Sequence, residues 1–377
     1  MILGYLFKRL RRHVGEVLLS AMIIAVIGIL LLGLHDYHAA QQAKLDAAYE
    51  DFEIRCTVTN AVGSKETDLK ITSGYVALFE EGGTLFPQVT DVMLLRAFEG
   101  TLGAGKTLRC FMTTDPEATP QLRDVFIQYE EGHSGEEFRG TEAVCIISDR
   151  LSRYIGEQGT FTLGAEGGEI ECRVIGSYPS EEDTVFVAWY PMAETLTAVG
   201  IAQEAHSLSF TVADNYRLGE LKELLRDYFI PASRTNKSTG MHGLIVDDSL
   251  FIDSVVVLER TLALLGVVRV LVYILSIGIS FFVAYLGIRG RRLELAVMRS
   301  MGTRTAALYG EVLTEHFLFF LLGGAVSCLL ALPLGMPIKQ DHLVTIGVFM
   351  ICYLIGVALA VAQATSGQIM QILKGKE

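Results

Sequence analysis

Four apolar stretches constrain the fold of this chain more than any other feature. They cover residues 17–34, 270–288, 317–338 and 343–362. Each is long enough to cross a bilayer as an α-helix, which takes about 20 residues. Backbone polar groups in lipid have no water to bond, so they must pair within their own segment, as a helix allows. The sequence therefore predicts a membrane protein with four transmembrane helices.

A long acidic block separates the first apolar stretch from the second. Residues 36–258 contain 36 acidic and 17 basic residues, a net charge of −19, whereas the remaining residues contain 7 acidic and 14 basic residues, a net charge of +7. Within the block, short strand patterns alternate with Gly, Asp and Pro. The predicted fold class is four transmembrane α-helices with a large α+β extracytoplasmic domain inserted between the first and second helices. This pattern excludes a simple soluble enzyme, a disordered chain and a nucleic-acid binder.

The basic residues predict the orientation in the membrane. They cluster before the first apolar stretch, between the second and third (Arg289 to Arg304), and after the fourth. The positive-inside rule then places both termini in the cytoplasm and residues 35–258 outside it. A cleaved signal peptide is the alternative for the first stretch. The apolar run is long and no A-x-A site follows it, which favours an uncleaved helix.

These patterns divide the chain into segments. Residues 1–16 are expected to form an interfacial helix on the inner leaflet, because Leu and Phe share one face there. The other expected segments are transmembrane helices over 17–34, 317–338 and 343–362, an extracytoplasmic domain with stalk helices at both ends over 35–258, a stalk and second transmembrane helix over 259–288, a cytoplasmic segment over 289–316 and a cytoplasmic tail over 363–377. A tight turn around Lys339–His342 is expected between the last two helices.

Inside the acidic block, short elements are predicted from residue alternation and helical spacing. The predicted strands are Ile54–Thr59, Val89–Phe98, Leu108–Thr113, Asp124–Tyr129, Ala143–Ser148, Gly159–Leu163, Ile170–Gly176 and Thr184–Tyr190. The predicted helices are Asp149–Ile155, Ala193–Val199 and Arg217–Phe229. Pro231–Gly243 is expected to be a polar loop, and Ser249–Val268 a helix that continues into the second apolar stretch.

Gly100–Thr107 reads GTLGAGKT and fits the phosphate-loop pattern G-x-x-x-x-G-K-T, and Leu244–Asp248 resembles the apolar run and acid that bind magnesium in nucleotidases. A phosphate loop needs a helix after its lysine, because the helix N-terminus binds the phosphate. Leu108–Thr113 instead has strand character, and Pro116 would stop a helix. The sequence therefore favours a turn between two strands over a nucleotide site.

Cysteine and histidine residues offer two further candidate sites. Cys56, Cys110, Cys145 and Cys172 lie in the acidic block, where they could pair as disulfides or remain buried thiols, and the sequence does not decide between these. His35 and His38 could ligate haem or a metal beyond the first stretch. Polar residues on a stalk are the favoured alternative, because no Cys or Met partner has suitable spacing. No grouping of residues suggests a catalytic site in this chain.

The most informative segment is residues 287–327. Its run RRLELAVMRSMGTRTAALYGEVLTE resembles the signature of FtsX/MacB-type ABC transporter permeases. The matching positions are Arg291, Arg292, Glu294, Arg299 and Gly302, followed by Glu315 just before the third apolar stretch and by Gly323 and Gly324 within it. Leu293, Val297 and Met301 share a helical face suited to a groove in a partner protein. Residues 130–163 and 186–196 resemble the MacB-type periplasmic core domain.

The resemblance implies a non-catalytic permease that pairs with a second copy or a paralogue and recruits two copies of a cytoplasmic ATPase. The resemblance also implies a bacterial plasma membrane, no cofactor in this chain, and ATP and Mg²⁺ bound to the ATPase. The implied coupling site consists of Arg291, Arg292, Glu294, Arg299, Gly302 and Arg304, with Glu315, Gly323 and Gly324 serving helix packing and coupling. Glu315 is expected to orient Arg299 or Arg304.

The expected function is export or extraction of a hydrophobic or amphipathic substrate, in contact with membrane lipid and an extracellular adaptor, without nucleic acid. The alternative is an FtsX-like complex that transmits mechanical force to a cell-wall hydrolase, or senses a ligand, without transport.

Overall fold

The computed structural model describes residues 14–102, 105–156, 158–165, 168–235, 241–291, 294, 297–298, 300–336 and 339–367. Most of the predicted interfacial helix over 1–16 and part of the predicted tail lie outside these residues. The chain divides into two compact units. We call Ala47–Ser254 the sheet domain, and Met1–Asp46 with Val255–Glu377 the helical unit.

Several α-helices have described bounds. They are α1 (Val14–Asp51), α2 (Ser73–Val76), α3 (Trp189–Ala198), α4 (Leu218–Leu225), α5 (Ser249–Gly290), α6 (Thr305–Ala331) and α7 (Gln340–Gly367). Short 3₁₀ helices lie at Phe86–Gln88, Gly135–Arg139, Asp149–Tyr154 and Asn215–Arg217. The helix predicted from Asp149 is thus present as a 3₁₀ helix. The helix predicted from Arg217 is present as a 3₁₀ turn followed by α4. The helix predicted over Ala193–Val199 begins earlier, at Trp189.

Four helices in the described part of the chain are long and apolar enough to cross a membrane, namely α1, α5, α6 and α7. The prediction of four apolar helices is confirmed. Their ends differ from the sequence prediction. α6 ends at Ala331 rather than 338, because a turn follows in which Gly335 has a φ of +77°. α7 already begins at Gln340, so His342 lies in this helix and not in the predicted turn.

The helical unit has a core of large apolar side chains from several helices. Ile24 and Leu31 of α1, Ala284 of α5, Phe320 of α6 and Phe349 of α7 are buried in one cluster. Small residues let the backbones approach each other. At Gly356 in α7, a Cβ would meet Ser280 Oγ and the Ile277 carbonyl of α5, so any larger residue there would separate the two helices.

In the sheet domain, the described residues contain eleven strands in one sheet. The strands are β1 (Arg55–Asn60), β2 (Val89–Leu102), β3 (Lys106–Thr113), β4 (Gln128–Tyr129), β5 (Val144–Ser148), β6 (Thr160–Ala165), β7 (Gly168–Tyr178), β8 (Thr184–Ala188), β9 (Ser207–Val212), β10 (Ile230–Pro231) and β11 (His242–Val246). Their order is β10-β11-β1-β9-β2-β3-β8-β5-β7-β4, and β6 pairs with β2 and β7.

The strand predictions are confirmed at seven positions and wrong at one. Asp124–Tyr129 is mostly turn and bend, and only Gln128–Tyr129 pairs with β7. β9, β10 and β11 have no counterpart among the predicted strands. β11 starts at His242, inside the predicted polar loop, because its residues pair with β1, where Asn60 lies opposite His242. Residues 236–240 of that loop lie outside the described part of the chain.

The central strands are buried on both faces. All residues of β5 (VCIIS), β8 (TVFVA) and β9 (SLSFTV) are buried. Their apolar runs suit strands that are covered on two sides. Phe111, Phe138, Ile146 and Phe186 belong to the core on one side of this sheet. In chain order, β1 follows α1 and β11 precedes α5.

Candidate functional site

A buried ion pair lies where the chain leaves α5. Arg291 follows the last residue of α5, and its Nη1 lies 2.9 Å from both carboxylate oxygens of Glu315 in α6. The side chains are only 10% and 5% exposed. Removing one member of such a pair leaves a buried charge without its counter-charge, which costs about 3–5 kcal/mol. The pair therefore fixes the end of α5 against α6.

A cleft of about 180 Å³ adjoins this ion pair. Leu19 and Ser20 of α1, Leu286 of α5 and Phe319 of α6 contribute to its walls. His316 also lines it, and its Nδ1 lies 3.0 Å from the Tyr353 hydroxyl of α7. Side chains of α1, α5 and α6 thus meet around Arg291 and Glu315, and α7 contacts this site through Tyr353.

Among the described residues, Glu315 pairs with Arg291 and not with Arg304. The sequence suggested Arg299 or Arg304 as its partner. Arg304 is exposed and stands at the N-terminal boundary of α6, where its carbonyl accepts a hydrogen bond from the Ala307 amide. Arg292 and Arg299 lie outside the described residues. The sequence showed an acid in an apolar helix but could not show which arginine reaches it.

Gly302 ends a helical segment in the connection between α5 and α6. Glu294, Val297, Met298 and Ser300 are helical. Gly302 then has a φ of +89°, and the Thr303 amide donates to the Met298 carbonyl at 3.2 Å. This is the Schellman arrangement, in which a left-handed glycine closes a helix. Gly302 thus shapes the connection, while Glu294 and Arg304 are exposed on it.

The two predicted packing glycines of α6 have different surroundings. A Cβ at Gly323 would lie 2.7 Å from Ile24 Cβ and 2.8 Å from the Ala21 carbonyl of α1. At Gly324 the nearest atom is Phe320 Cε1 of the same helix, at 3.9 Å. Only Gly323 therefore marks a close approach of two helices. The approach continues one turn along, where a Cβ at Gly28 would meet the Ser327 hydroxyl.

His35 lies in a polar cluster, but its partner is His342 rather than His38. His342 is 1% exposed, its Nε2 lies 2.8 Å from Asp36 Oδ1, and its Nδ1 accepts a hydrogen bond from the Lys339 amide. His35 stacks edge-on against the His342 ring and lies 3.3 Å from the Thr345 hydroxyl. Among the described residues, no group of three or more His, Cys, Asp or Glu side chains could hold a metal. The cluster connects α1 and α7.

The four cysteines of the sheet domain are free and buried. Burial raises the pKa of Cys56 and of Cys110 to about 12, which suppresses their thiolates. The Cys145 thiol is hydrogen-bonded to Cys172, and this contact together with burial raises its pKa. Thiolates are the reactive form, so these residues behave as buried apolar side chains.

The phosphate-loop pattern lies in a β-hairpin. β2 and β3 pair antiparallel up to Leu102 and Lys106, so no helix follows the lysine and the hairpin prediction is confirmed. Lys106 forms an ion pair with Asp183, and the hydrogen bond that it donates, together with its charge, lowers the pKa of that carboxyl group. Leu244–Val246 of the second pattern lies in β11 and pairs with β1.

Residues 266–371 match the sequence family described as FtsX-like permease C-terminal. The match begins within α5 and contains α6, the described part of the connection before it, and all of α7. It therefore includes the Arg291–Glu315 pair, Gly302 and Gly323. The resemblance to FtsX-type permeases is confirmed over this part of the chain. No curated protein matches the chain.

Two solved structures are similar to part of the chain. One is the periplasmic region of MacB from Actinobacillus actinomycetemcomitans, with 13% sequence identity and a TM-score of 0.32, covering 53% of this chain and 91% of that one. The other is the extracellular domain of the noncanonic ABC-type transporter YknZ from Gram-positive bacteria, with 12% identity and a TM-score of 0.30, covering 52% of this chain and 100% of that one.

Proposed function

We propose that this chain is the permease subunit of an ABC transporter whose ATPase is a separate cytoplasmic protein. The match of residues 266–371 to the FtsX-like permease family is the observation that carries this proposal. In the proposed transporter, two permease subunits associate and bind two ATPase subunits, and the ATPase subunits bind ATP and Mg²⁺. Both termini are cytoplasmic, the sheet domain is extracytoplasmic, and the transported substrate is hydrophobic or amphipathic.

The connection between α5 and α6 is the proposed ATPase docking site. Val297 and Met301 lie one helical turn apart and are 54% and 74% exposed. Exposed apolar side chains at this spacing suit insertion of a helix into a partner's groove. Glu294 and Arg304 are exposed nearby and supply polar contacts at the rim. Arg292 and Arg299 remain part of this proposal.

The buried ion pair gives this docking site a path into the helical unit. Arg291 lies at the start of the connection, and its contact with Glu315 ties it to α6. The same part of α6 contacts α7 through His316 and Tyr353. A movement of the docked connection therefore displaces several helices together instead of bending one loop. We propose that Arg291 and Glu315 transmit the ATPase movement, and that Arg291 does not itself bind the ATPase.

The test uses the full chain isolated from its native membrane together with the ATPase that co-purifies with it. We expect Glu315→Gln to retain the ATPase but to lower ATP turnover of the complex at least about tenfold, which corresponds to about 1.4 kcal/mol. Arg291→Gln should have the same effect, and the double substitution should unfold at a higher temperature than either single variant, because no lone charge remains buried. The matched control is Asp341→Asn, which removes an exposed carboxylate from α7.

Two results would contradict the proposal in different ways. If Glu315→Gln turned over ATP at the wild-type rate, the ion pair would not belong to the coupling path. If the wild-type chain bound no ATPase but did bind a cell-wall hydrolase whose activity it changed in the absence of any ATPase, the chain would not be a transporter permease.

A further inference from the structure

A short helical segment of the sheet domain contacts the ends of both long helices that enter this domain. It consists of Asp214–Arg226, which contains the 3₁₀ turn Asn215–Arg217 and α4. We call it the clasp. Its contacts run to the last turn of α1 on one side and to the first residues of α5 on the other.

The contact with α1 is made by Asn215. This side chain is 6% exposed, and its Nδ2 donates to the carbonyl oxygens of Tyr49, at 3.0 Å, and Phe52, at 2.6 Å. The last carbonyls of a helix have no partner within the helix. Asn215 therefore caps the C-terminus of α1 from a segment distant in sequence. Its own segment does not need it, because the Asp214 side chain accepts the Tyr216 amide and caps the 3₁₀ turn.

Aromatic rings join α1, the clasp and α5 at the same place. Tyr216 of the clasp stacks on Tyr49 of α1, with ring centroids 4.2 Å apart and planes inclined by 10°. Tyr49 and Phe52 both contact the edge or face of Phe251 in α5, at centroid distances of 5.3 and 5.7 Å. Such ring pairs add stability beyond their burial. The last turn of α1 and the first turn of α5 are thus packed together.

The contact with α5 is an ion pair. Lys222 of α4 pairs with Asp248, whose carbonyl accepts the Ile252 amide at the start of α5. Asp248 is 13% exposed, so the pair is partly shielded from water and salt. Arg226 and Glu223 of the same helix also form an ion pair, but both side chains are largely exposed. This second, solvent-exposed pair lies within the clasp and serves as a control.

The connectors between helices and sheet are too short to act as independent hinges. Residues 52–54 lie between α1 and β1, and residues 247–248 lie between β11 and α5. β1 and β11 are paired neighbours in the sheet, with Cys56 opposite Val246. The clasp completes this arrangement, because it holds the helix ends by side chains as well as by the chain itself.

We propose that the clasp is the joint through which movement of α1 and α5 reaches the sheet domain, with Asn215 and the Lys222–Asp248 pair as positioning residues. The proposal rests on the proposed function, because it assigns the clasp to the transmission of ATP-driven movement. With the clasp intact, a displacement of the helix ends moves β1, β11 and the sheet together. With the clasp open, the last turn of α1 and the first turn of α5 yield locally and the sheet domain does not respond.

The test compares hydrogen exchange in the full-length chain, in lipid nanodiscs with its ATPase, before and after addition of ATP. The variants are Asn215→Asp, which keeps the size of the side chain but removes its donors, Lys222→Asp, Asp248→Lys and the exchange of both charges. Arg226→Glu is the control on the exposed pair. Without nucleotide, we expect exchange in the last turn of α1 or the first turn of α5 to rise at least about tenfold in the single clasp variants. Amides of the buried strand β8 should not change, which shows that the sheet remains folded.

With ATP, the wild-type complex should show altered exchange in β1 and β11. Asn215→Asp, Lys222→Asp and Asp248→Lys should lose most of this alteration while still hydrolysing ATP. The exchange of both charges should restore it, a recovery that a general loss of stability would not produce. Clasp variants that respond to ATP as strongly as the wild type would overturn the inference. A wild-type complex that hydrolyses no ATP would instead overturn the proposed function, while the nucleotide-free comparison would still decide whether the clasp holds the helix ends.

Discussion

At the scale of single residues, His206 shows how burial determines a response to pH. Its Nδ1 accepts a hydrogen bond from the Ala97 amide at 3.1 Å, which requires the ring nitrogen to be unprotonated. Burial lowers the pKa of His206 below its ordinary value of 6.5. Burial also lowers the pKa of His242. The folded sheet domain therefore favours the neutral form of both histidines. At low pH, where the imidazole binds a proton more readily in the unfolded chain, both histidines are expected to lower the free energy of unfolding.

The sign of the pH effect follows from the folded and unfolded pKa values. Below about pH 6.5 the unfolded chain binds more protons than the folded chain, so stability is complete above this pH and falls as the pH drops through the lowered folded pKa. Protonation of His206 also forfeits the Ala97 hydrogen bond, worth about 1 kcal/mol. We expect the midpoint temperature of thermal unfolding of the sheet domain to be lower at pH 5.5 than at pH 7.5. Trp189 reports this midpoint in the full chain, because it is the single tryptophan and is buried in the sheet domain.

The decisive variant is His206→Asn, whose amide oxygen can accept the same hydrogen bond without titrating. This variant should reduce the difference between the unfolding midpoints at pH 7.5 and pH 5.5. The difference that remains should be the part due to His242. His38→Asn, outside the sheet domain, should change nothing. An equal difference in wild type and His206→Asn would exclude His206 as the origin of the effect.

The sequence could identify a residue when its local surroundings were unusual, but not when its importance came from contacts with distant segments. Glu315 stood out because an acid is costly in an apolar helix, and the structure finds it buried in an ion pair. Its partner Arg291 could not be chosen among several arginines, because the choice depends on how the connection folds. His342 and Asn215 were missed altogether. Each is an ordinary polar residue in sequence, and only the packing of distant segments gives it partners.

At the scale of helices, the contact between α1 and α6 depends on the absence of a side chain at Gly323. A Cβ there would stand 2.7 Å from Ile24 Cβ, so the two helices would have to separate. We expect Gly323→Ala to destabilise the helical unit by about 1–3 kcal/mol, the usual cost of overpacking. The measurement is the loss of the detergent-solubilised chain from the soluble fraction after heating.

Gly324→Ala is the matched control, because its Cβ would meet only Phe320 at 3.9 Å. Alanine also favours a helix over glycine by up to about 1 kcal/mol, so this variant should be as stable as the wild type or more so. If both substitutions lowered stability equally, loss of a glycine and not helix contact would be the cause.

The long elements were predictable where the pattern was continuous and less so where it was short. Apolar runs of more than fifteen residues predicted α1, α5, α6 and α7, but not the end of α6, since Leu332 and Leu334 continue the apolar run through a turn. β9 escaped because Ser207 and Ser209 interrupt a strand that is nevertheless fully buried. β11 follows a sequence rich in Gly, Ser and Asn and becomes a strand by pairing with β1. Local sequence patterns do not predict strands that form through pairing with residues distant in sequence.

At the scale of the whole molecule, the charge difference between the two parts of the sequence predicts the orientation of the chain. The net charge is −19 over residues 36–258 and +7 over the rest. Moving basic segments across the membrane is disfavoured, so the connection between α5 and α6 is expected inside and the sheet domain outside. The same orientation is required if the connection docks on a cytoplasmic ATPase. One experiment therefore tests both arguments.

Two exposed positions report the orientation when changed to cysteine. They are Lys65 in the sheet domain and Met301 in the connection after α5, and Met301 is 74% exposed. The background carries alanine at Cys328 and Cys352, which are only partly buried, whereas the four remaining cysteines are buried. We expect a membrane-impermeant maleimide to label Lys65→Cys in intact spheroplasts and Met301→Cys only after the membrane is disrupted. The reverse pattern would place the sheet domain in the cytoplasm and remove the docking role from residues 294–304, because an ATPase could no longer reach them.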